Sequence, residues 1–181
     1  MKNNPIIVTN SNPIGLDKVI EGFQNRISSL AYSNGNWFDG GLILGIVQKN
    51  EETEEPIIYW KGKDHFNATP KDFRSPLCFF YEDGSRKQSE SRVTYSISMI
   101  IWFNESLIKQ KTPRIKEYFI NSVQKFFQKE SVLDLEIFTI NEQVFADFNI
   151  KTSKLFKKPN DGFRVKFNYD SKIDCDVGFS V

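Results

Sequence analysis

The chain has 181 residues, with 24 Lys+Arg against 23 Asp+Glu, and carries 17 Phe, 6 Tyr and 3 Trp. A chain of this length forms one domain and buries roughly 70% of the surface it exposes when unfolded, so it needs no covalent staples. Its aromatic content excludes intrinsic disorder, and its near-zero net charge excludes a nucleic-acid binder that works through a globally basic surface.

Two cysteines, Cys78 and Cys175, are too few for a disulfide scaffold and are expected as buried or half-buried thiols. With a single histidine, soft ligands are too few for a structural zinc site. The apolar run Ile6–Val8 is too short for the core of a signal peptide. No stretch approaches the ~20 apolar residues that span a bilayer, so synthesis in the cytoplasm and no membrane contact are expected.

In chain order, Ser11-Asn12-Pro13 reads as a helix entry, a polar cap followed by a proline in the first turn. Leu16, Ile20, Phe23, Ile27 and Leu30 then recur at helical spacing as one apolar stripe. Asn34-Gly35-Asn36 and Gly40-Gly41 punctuate a loop that carries Trp37. Leu42–Gln48 is apolar on both faces and predicts a central strand, and Pro56–Lys61 a second strand. Between them the run Glu51-Glu52-Thr53-Glu54-Glu55 makes an acidic hairpin tip. Residues 62–75 read as irregular and hold His65.

Pro76–Tyr81 predicts a short strand and Glu82-Asp83-Gly84-Ser85 a turn. Arg92–Asn104 is the clearest period-two segment. Val93, Tyr95, Ile97, Met99, Ile101 and Phe103 alternate with Thr94, Ser96 and Ser98. Its wetter face turns apolar at Ile100 and Trp102, an end that another element or another subunit should cover. Thr112-Pro113 is a second helix entry, followed by the stripe Ile115, Phe119, Val123, Phe126 and Phe127. Leu135–Ile140 reads as a strand, Asn141–Phe148 as a short helix, and Gly162–Asp170 as a strand. In the last of these Phe163, Val165, Phe167 and Tyr169 face in while Arg164, Lys166 and Asn168 face out.

The expected fold is therefore α+β, a two-layer domain over residues 1–181 with a mostly antiparallel sheet and two amphipathic helices packed on one face. Its helices fall at about 13–31 and 113–129, and its strands at about 42–104 and 135–170.

Candidate chemistry is sparse. His65 follows Asp64, but no second histidine and no nucleophile elbow accompany the pair. Gly40-Gly41 and Gly45 lack the spacing of a phosphate loop or dinucleotide fingerprint, and no cofactor is expected. A metal-dependent nuclease would draw on Asp64, Asp72, Glu82, Asp83, Asp134, Glu136 and Asp147, because a hard cation needs clustered oxygens. Sequence spacing does not bring these together.

Glu51, Glu52, Glu54 and Glu55 form a solvated loop, or a tip that faces passing nucleic acid or a basic partner. Lys109, Lys111 and Arg114 cluster near a helix start, where a phosphate or an acidic neighbour would be met. Acidic and basic loops in equal number suit head-to-tail contact between identical subunits. Trp37, Trp60 and Trp102 sit at loop or strand ends, the places where large aromatics serve either the core or an interface.

The succession of elements resembles the tail terminator and tail-completion (neck) proteins of tailed phages. An N-terminal helix and a hairpin with an acidic tip precede Pro76-Leu77-Cys78-Phe79-Phe80-Tyr81-Glu82-Asp83-Gly84. Then come the long alternating strand Val93-Thr94-Tyr95-Ser96-Ile97-Ser98-Met99-Ile100-Ile101-Trp102, a helix, and the close Lys154-Leu155-Phe156-Lys157-Lys158-Pro159-Asn160-Asp161-Gly162-Phe163-Arg164-Val165. The resemblance implies a structural virion protein without bond chemistry. Copies would form a ring, commonly of six, that caps the tail tube protein and meets the head-completion protein while DNA passes without specific binding. It also makes the glutamate tip a candidate for the lumen and the end around Ile100 and Trp102 a candidate for subunit or tube contact. The alternatives are a small metal-dependent nuclease and an aromatic-lined ligand-binding module.

Overall fold

The computed structural model describes residues 6–7, 15–33, 43–49, 52, 54, 56–60, 64–67, 77–84, 87–89, 92–108, 113–130, 132–149 and 156–172. The described residues contribute the strands β1 (Ile6–Ile7), β2 (Ile43–Lys49), β3 (Pro56–Trp60), β4 (Asp64–Asn67), β5 (Leu77–Glu82), β6 (Lys87–Gln88), β7 (Arg92–Asn104), β8 (Leu133–Phe138) and β9 (Asn160–Lys172). The helices are α1 (Leu16–Ser33), α2 (Ile115–Lys129) and the single turn α3 (Asn141–Val144).

The strands form one sheet in the order β4-β3-β2-β5-β7-β9-β8, with β1 beside the start of β2 and β6 beside β7. Hairpin connections make most pairings antiparallel. β2 pairs with β5 in parallel, because the β3–β4 excursion occupies one flank of β2 and the chain returns on the other, and β1 also pairs with β2 in parallel. The spine is the 13-residue pairing of β7 with β9, in unbroken register from Arg92↔Lys172 to Asn104↔Asn160. The fold is thus the α+β, mostly antiparallel arrangement that the alternation predicts.

Both long helices lie on one face. Ile20, Phe23 and Ile27 of α1 and Ile115, Phe119, Val123 and Phe127 of α2 are buried with the inward residues of β7, Val93 through Phe103, and of β9, Phe163, Val165 and Phe167. Phe23 is central: its ring stands 5.1 Å from Phe167, 5.3 Å from Tyr169, 5.7 Å from Phe127 and 6.4 Å from Phe80, centroid to centroid. Such stacked and edge-on pairs add to area burial.

Cys78 is buried in this layer, and burial pushes its thiol far above the ordinary range. Cys175 lies outside the described residues. Two local expectations change. Arg114 stands at the N-cap of α2 with no side-chain cap bond, and Thr112 lies outside the described residues, as does the Ser11-Asn12-Pro13 entry. His65 sits on strand β4 opposite Tyr59, rather than in an irregular loop, because β3 turns back and pairs once more.

The opposite face carries a second, smaller layer. Phe145 and Phe148, at and just after the end of α3, are buried against Phe79 and Tyr81, and Phe156 packs on Phe145. Gly162 makes room for this cover. A Cβ there would stand 2.8 Å from the Ile101 carbonyl oxygen and 3.2 Å from the Phe156 ring. Backbone does not yield as a side-chain tip does. Gly162→Ala is expected to lower stability by about 1–3 kcal/mol in urea unfolding, and a variant as stable as wild type would mean that β7 and β9 can part at this point.

Candidate functional site

Three rows of side chains run across the second face, fixed by strand register. The first is Leu77–Trp102–Gly162, the second Phe79–Ile100–Arg164–Phe138, and the third Tyr81–Ser98–Lys166–Glu136. The middle of this surface is polar where the layer above it is aromatic. Arg164, expected to face water from β9, is instead 5% exposed, because the segment following α3 lies over it. An outward position on a sheet is wet only where nothing packs on that face.

Arg164 is met by three polar partners and two aromatic rings. Its Nε donates to Ser98 Oγ at 2.9 Å, and its Nη2 pairs with Asp83 from the turn after β5 and with Asp147 Oδ2, just beyond α3, at 2.7 Å. Ser98 Oγ in turn donates to Asp83 Oδ2 at 2.6 Å. Lys166 Nζ reaches Asp83 Oδ2 at 3.3 Å, and the Tyr81 hydroxyl donates to Asp147 Oδ2 at 2.8 Å. The guanidinium also lies 5.6 Å from the Tyr81 ring centroid and 5.4 Å from that of Phe138, within cation–π range. Asp83 is held in place by its own N–H, which donates to the Ser96 carbonyl at 2.8 Å, and by Gly84, whose φ of +112° turns the chain.

Two cations therefore face two carboxylates, and the cluster is internally neutral. Burial alone would raise the Asp83 carboxyl. The Ser98 hydrogen bond, Arg164 and Lys166 outweigh burial and hold it below the ordinary carboxylate range. Burial pushes the Tyr81 hydroxyl upward; Arg164 opposes this and the bond to Asp147 adds to it. A carboxylate held ionised by two cations is a weak general base, and a phenol held protonated a weak acid. Neutralising charge beneath an aromatic cover, and pinning that cover to the sheet, is what this arrangement does.

The sequence-derived candidates are distributed as follows. Ile100 and Trp102, offered as a subunit or tube contact, are 0% and 3% exposed, so the chain's own elements cover them and they leave the list of interface residues. Glu52 and Glu54 of the acidic tip are exposed, and the Glu54 carbonyl accepts from the Asn149 N–H at 3.0 Å, which ties the tip to the segment after α3. Glu51 and Glu55 lie outside the described residues, as do Trp37, Lys109 and Lys111. Arg114 is exposed, with Glu117 at 3.6 Å, and Trp60 ends β3 in register with Asp64. Of the carboxylates a nuclease would need, Asp83 and Asp147 do converge, but on a guanidinium. Asp134 accepts from Asn168 at 2.7 Å on the β8 flank, away from them. Among the described residues no group of three or more His, Cys, Asp or Glu is placed to hold a metal ion, and no helix is long and apolar enough to cross a membrane.

A different surface stands out by exposure. Leu133 and Ile140 are the exposed large apolar side chains of the described residues, at 49% and 57%, and they bracket β8, the terminal strand of the sheet order. Within β8 the pairing with β9 shifts between Leu133 and Glu136, where Asp134 takes a φ of +52°. Such a bulge on an edge strand discourages indiscriminate pairing and re-aims a side chain. No protein-family model, curated protein or solved structure matches the chain.

Proposed function

We propose that the chain is a structural assembly subunit that associates with copies of itself, and that its place is the tail terminator or a related neck component of a tailed phage. The observation that carries the proposal is the β8 edge, where Leu133 and Ile140, the exposed large apolar side chains of the described residues, lie at the start of and just beyond the strand that ends the described sheet order. An edge is a natural site for subunit contact. The buried polar groups of the second face support the same reading, since the Arg164 cluster is spent on internal neutralisation.

In this reading copies close into a ring, commonly of six, at the end of the tail tube, and meet the head-completion protein on the other side. The exposed Glu52 and Glu54 place negative charge on a loop, suited to a lumen through which DNA passes without adhering. The expected location is the virion tail or neck.

Peptide mass spectrometry on fractionated particles, from a culture that produces this protein, tests the proposal. Its peptides are expected in the tail fraction in stoichiometric ratio to the tube protein. Absence from every particle fraction would overturn the assignment.

A further inference from the structure

The β7–β9 pair carries opposite charge on its two flanks. On the β8 side Asp134, Glu136 and Glu142 are all exposed. No ion pair among the described residues engages Glu136 or Glu142. Glu136 lies in register with Lys166, whose ammonium is turned to Asp83 instead. On the other side Lys87 of β6 and Arg92 at the start of β7 are exposed, and no described residue forms an ion pair with either. Asp170, in register with Thr94, accepts from Thr94 Oγ1 at 2.6 Å.

From this charge division we infer that the acidic β8 edge of one copy docks against the basic Lys87–Arg92 corner of the next. The inference rests on the assembly reading above and specifies its contact. The two surfaces lie on opposite flanks of the β7–β9 pair, β6 on one side and β8 on the other. A contact between them is therefore heterologous, leaves one free surface of each kind, and repeats from copy to copy, which gives a ring where the rotation between copies closes. Leu133 and Ile140 supply the apolar part of the contact, while Glu136 and Glu142 supply register and selectivity against like-charged edges. The bulge at Asp134 favours the same outcome, because a bulged acidic edge selects a cationic partner over another β8.

The test is a charge swap read by sedimentation velocity over a range of concentrations. Wild type is expected to self-associate, and more weakly as salt is raised. Glu136→Lys with Glu142→Lys in one chain, and Lys87→Glu with Arg92→Glu in another, should each weaken self-association by about tenfold or more. An equimolar mixture of the two variants should recover association, because each supplies the surface the other lacks. Circular dichroism on both variants confirms that the fold is kept. Self-association of either variant at wild-type strength, or a mixture no better than its components, overturns the contact. Monomeric wild type throughout the range also overturns it, while presence in tails, measured separately on particles, decides the assembly reading.

Discussion

Replacing Arg164 by methionine is expected to lower stability by about 3–5 kcal/mol at neutral pH, the cost of leaving a buried carboxylate with only the longer, 3.3 Å contact to Lys166. Methionine keeps much of the volume, so packing against Tyr81 and Phe138 is largely retained. What is lost is the cation between Asp83 and Asp147. The Asp83 side chain is only 11% exposed, so water cannot take the place of the guanidinium.

The pH dependence sharpens the expectation. In wild type the Asp83 carboxyl is held below its ordinary value. Its contribution is therefore fully present above the unfolded pKa, about 3.9, and is lost as pH falls through the lower folded value. Without Arg164 the carboxyl loses two of the influences that hold it down and rises from its wild-type value, so protonation in mild acid relieves the variant while wild type still holds its ion pair. The stability gap should then narrow as pH falls from 7 towards about 4. Adding Asp83→Asn to the variant should recover part of the loss at neutral pH, since the stranded charge goes with it. Urea unfolding at the two pH values reads all three outcomes. A loss below about 1 kcal/mol at neutral pH would mean that the cluster is far better solvated than its burial indicates.

Phe23→Ala is the second large effect, expected at about 3–5 kcal/mol. The ring joins α1 to α2 through Phe127 and to the sheet through Phe80, Phe167 and Tyr169. Those neighbours belong to three separate elements, α2, β5 and β9, and cannot all collapse into one cavity. Arg26 also lies 4.8 Å from the Phe23 ring centroid and loses that contact. Chemical denaturation should report a lower midpoint with an unchanged slope, and a loss under 1 kcal/mol would mean that α1 contributes little to the core.

How much of this was legible in the sequence depends on the face. Everything on the helix-covered face followed from period-two and helical spacing, because burial there obeys one rule for every inward position: Val93 to Phe103, Phe163 to Phe167, and the stripes of both helices. The second face did not follow from spacing. Arg164 sits at an outward position between Phe163 and Val165, and nothing local distinguishes a buried arginine from a wet one. Its carboxylate partners are distant in the chain, Asp83 by 81 residues. Two signals pointed there, the apolar turn of the outward face at Ile100 and Trp102, and the short helix expected over Asn141–Phe148. The first required a cover; the second supplied it in part, since α3 ends at Val144 and Phe148 packs from the turn that follows. The β8 edge was legible only as a strand. Its position at the end of the sheet order comes from β9 entering between β7 and β8, a pairing that local periodicity does not encode.

Electron microscopy of the purified protein mixed with isolated tail tubes tests the central claim most directly. The assembly reading predicts rings seated at tube ends, with density joining neighbouring copies along their β8 flanks. Bare tube ends and dispersed single copies at every concentration would contradict it.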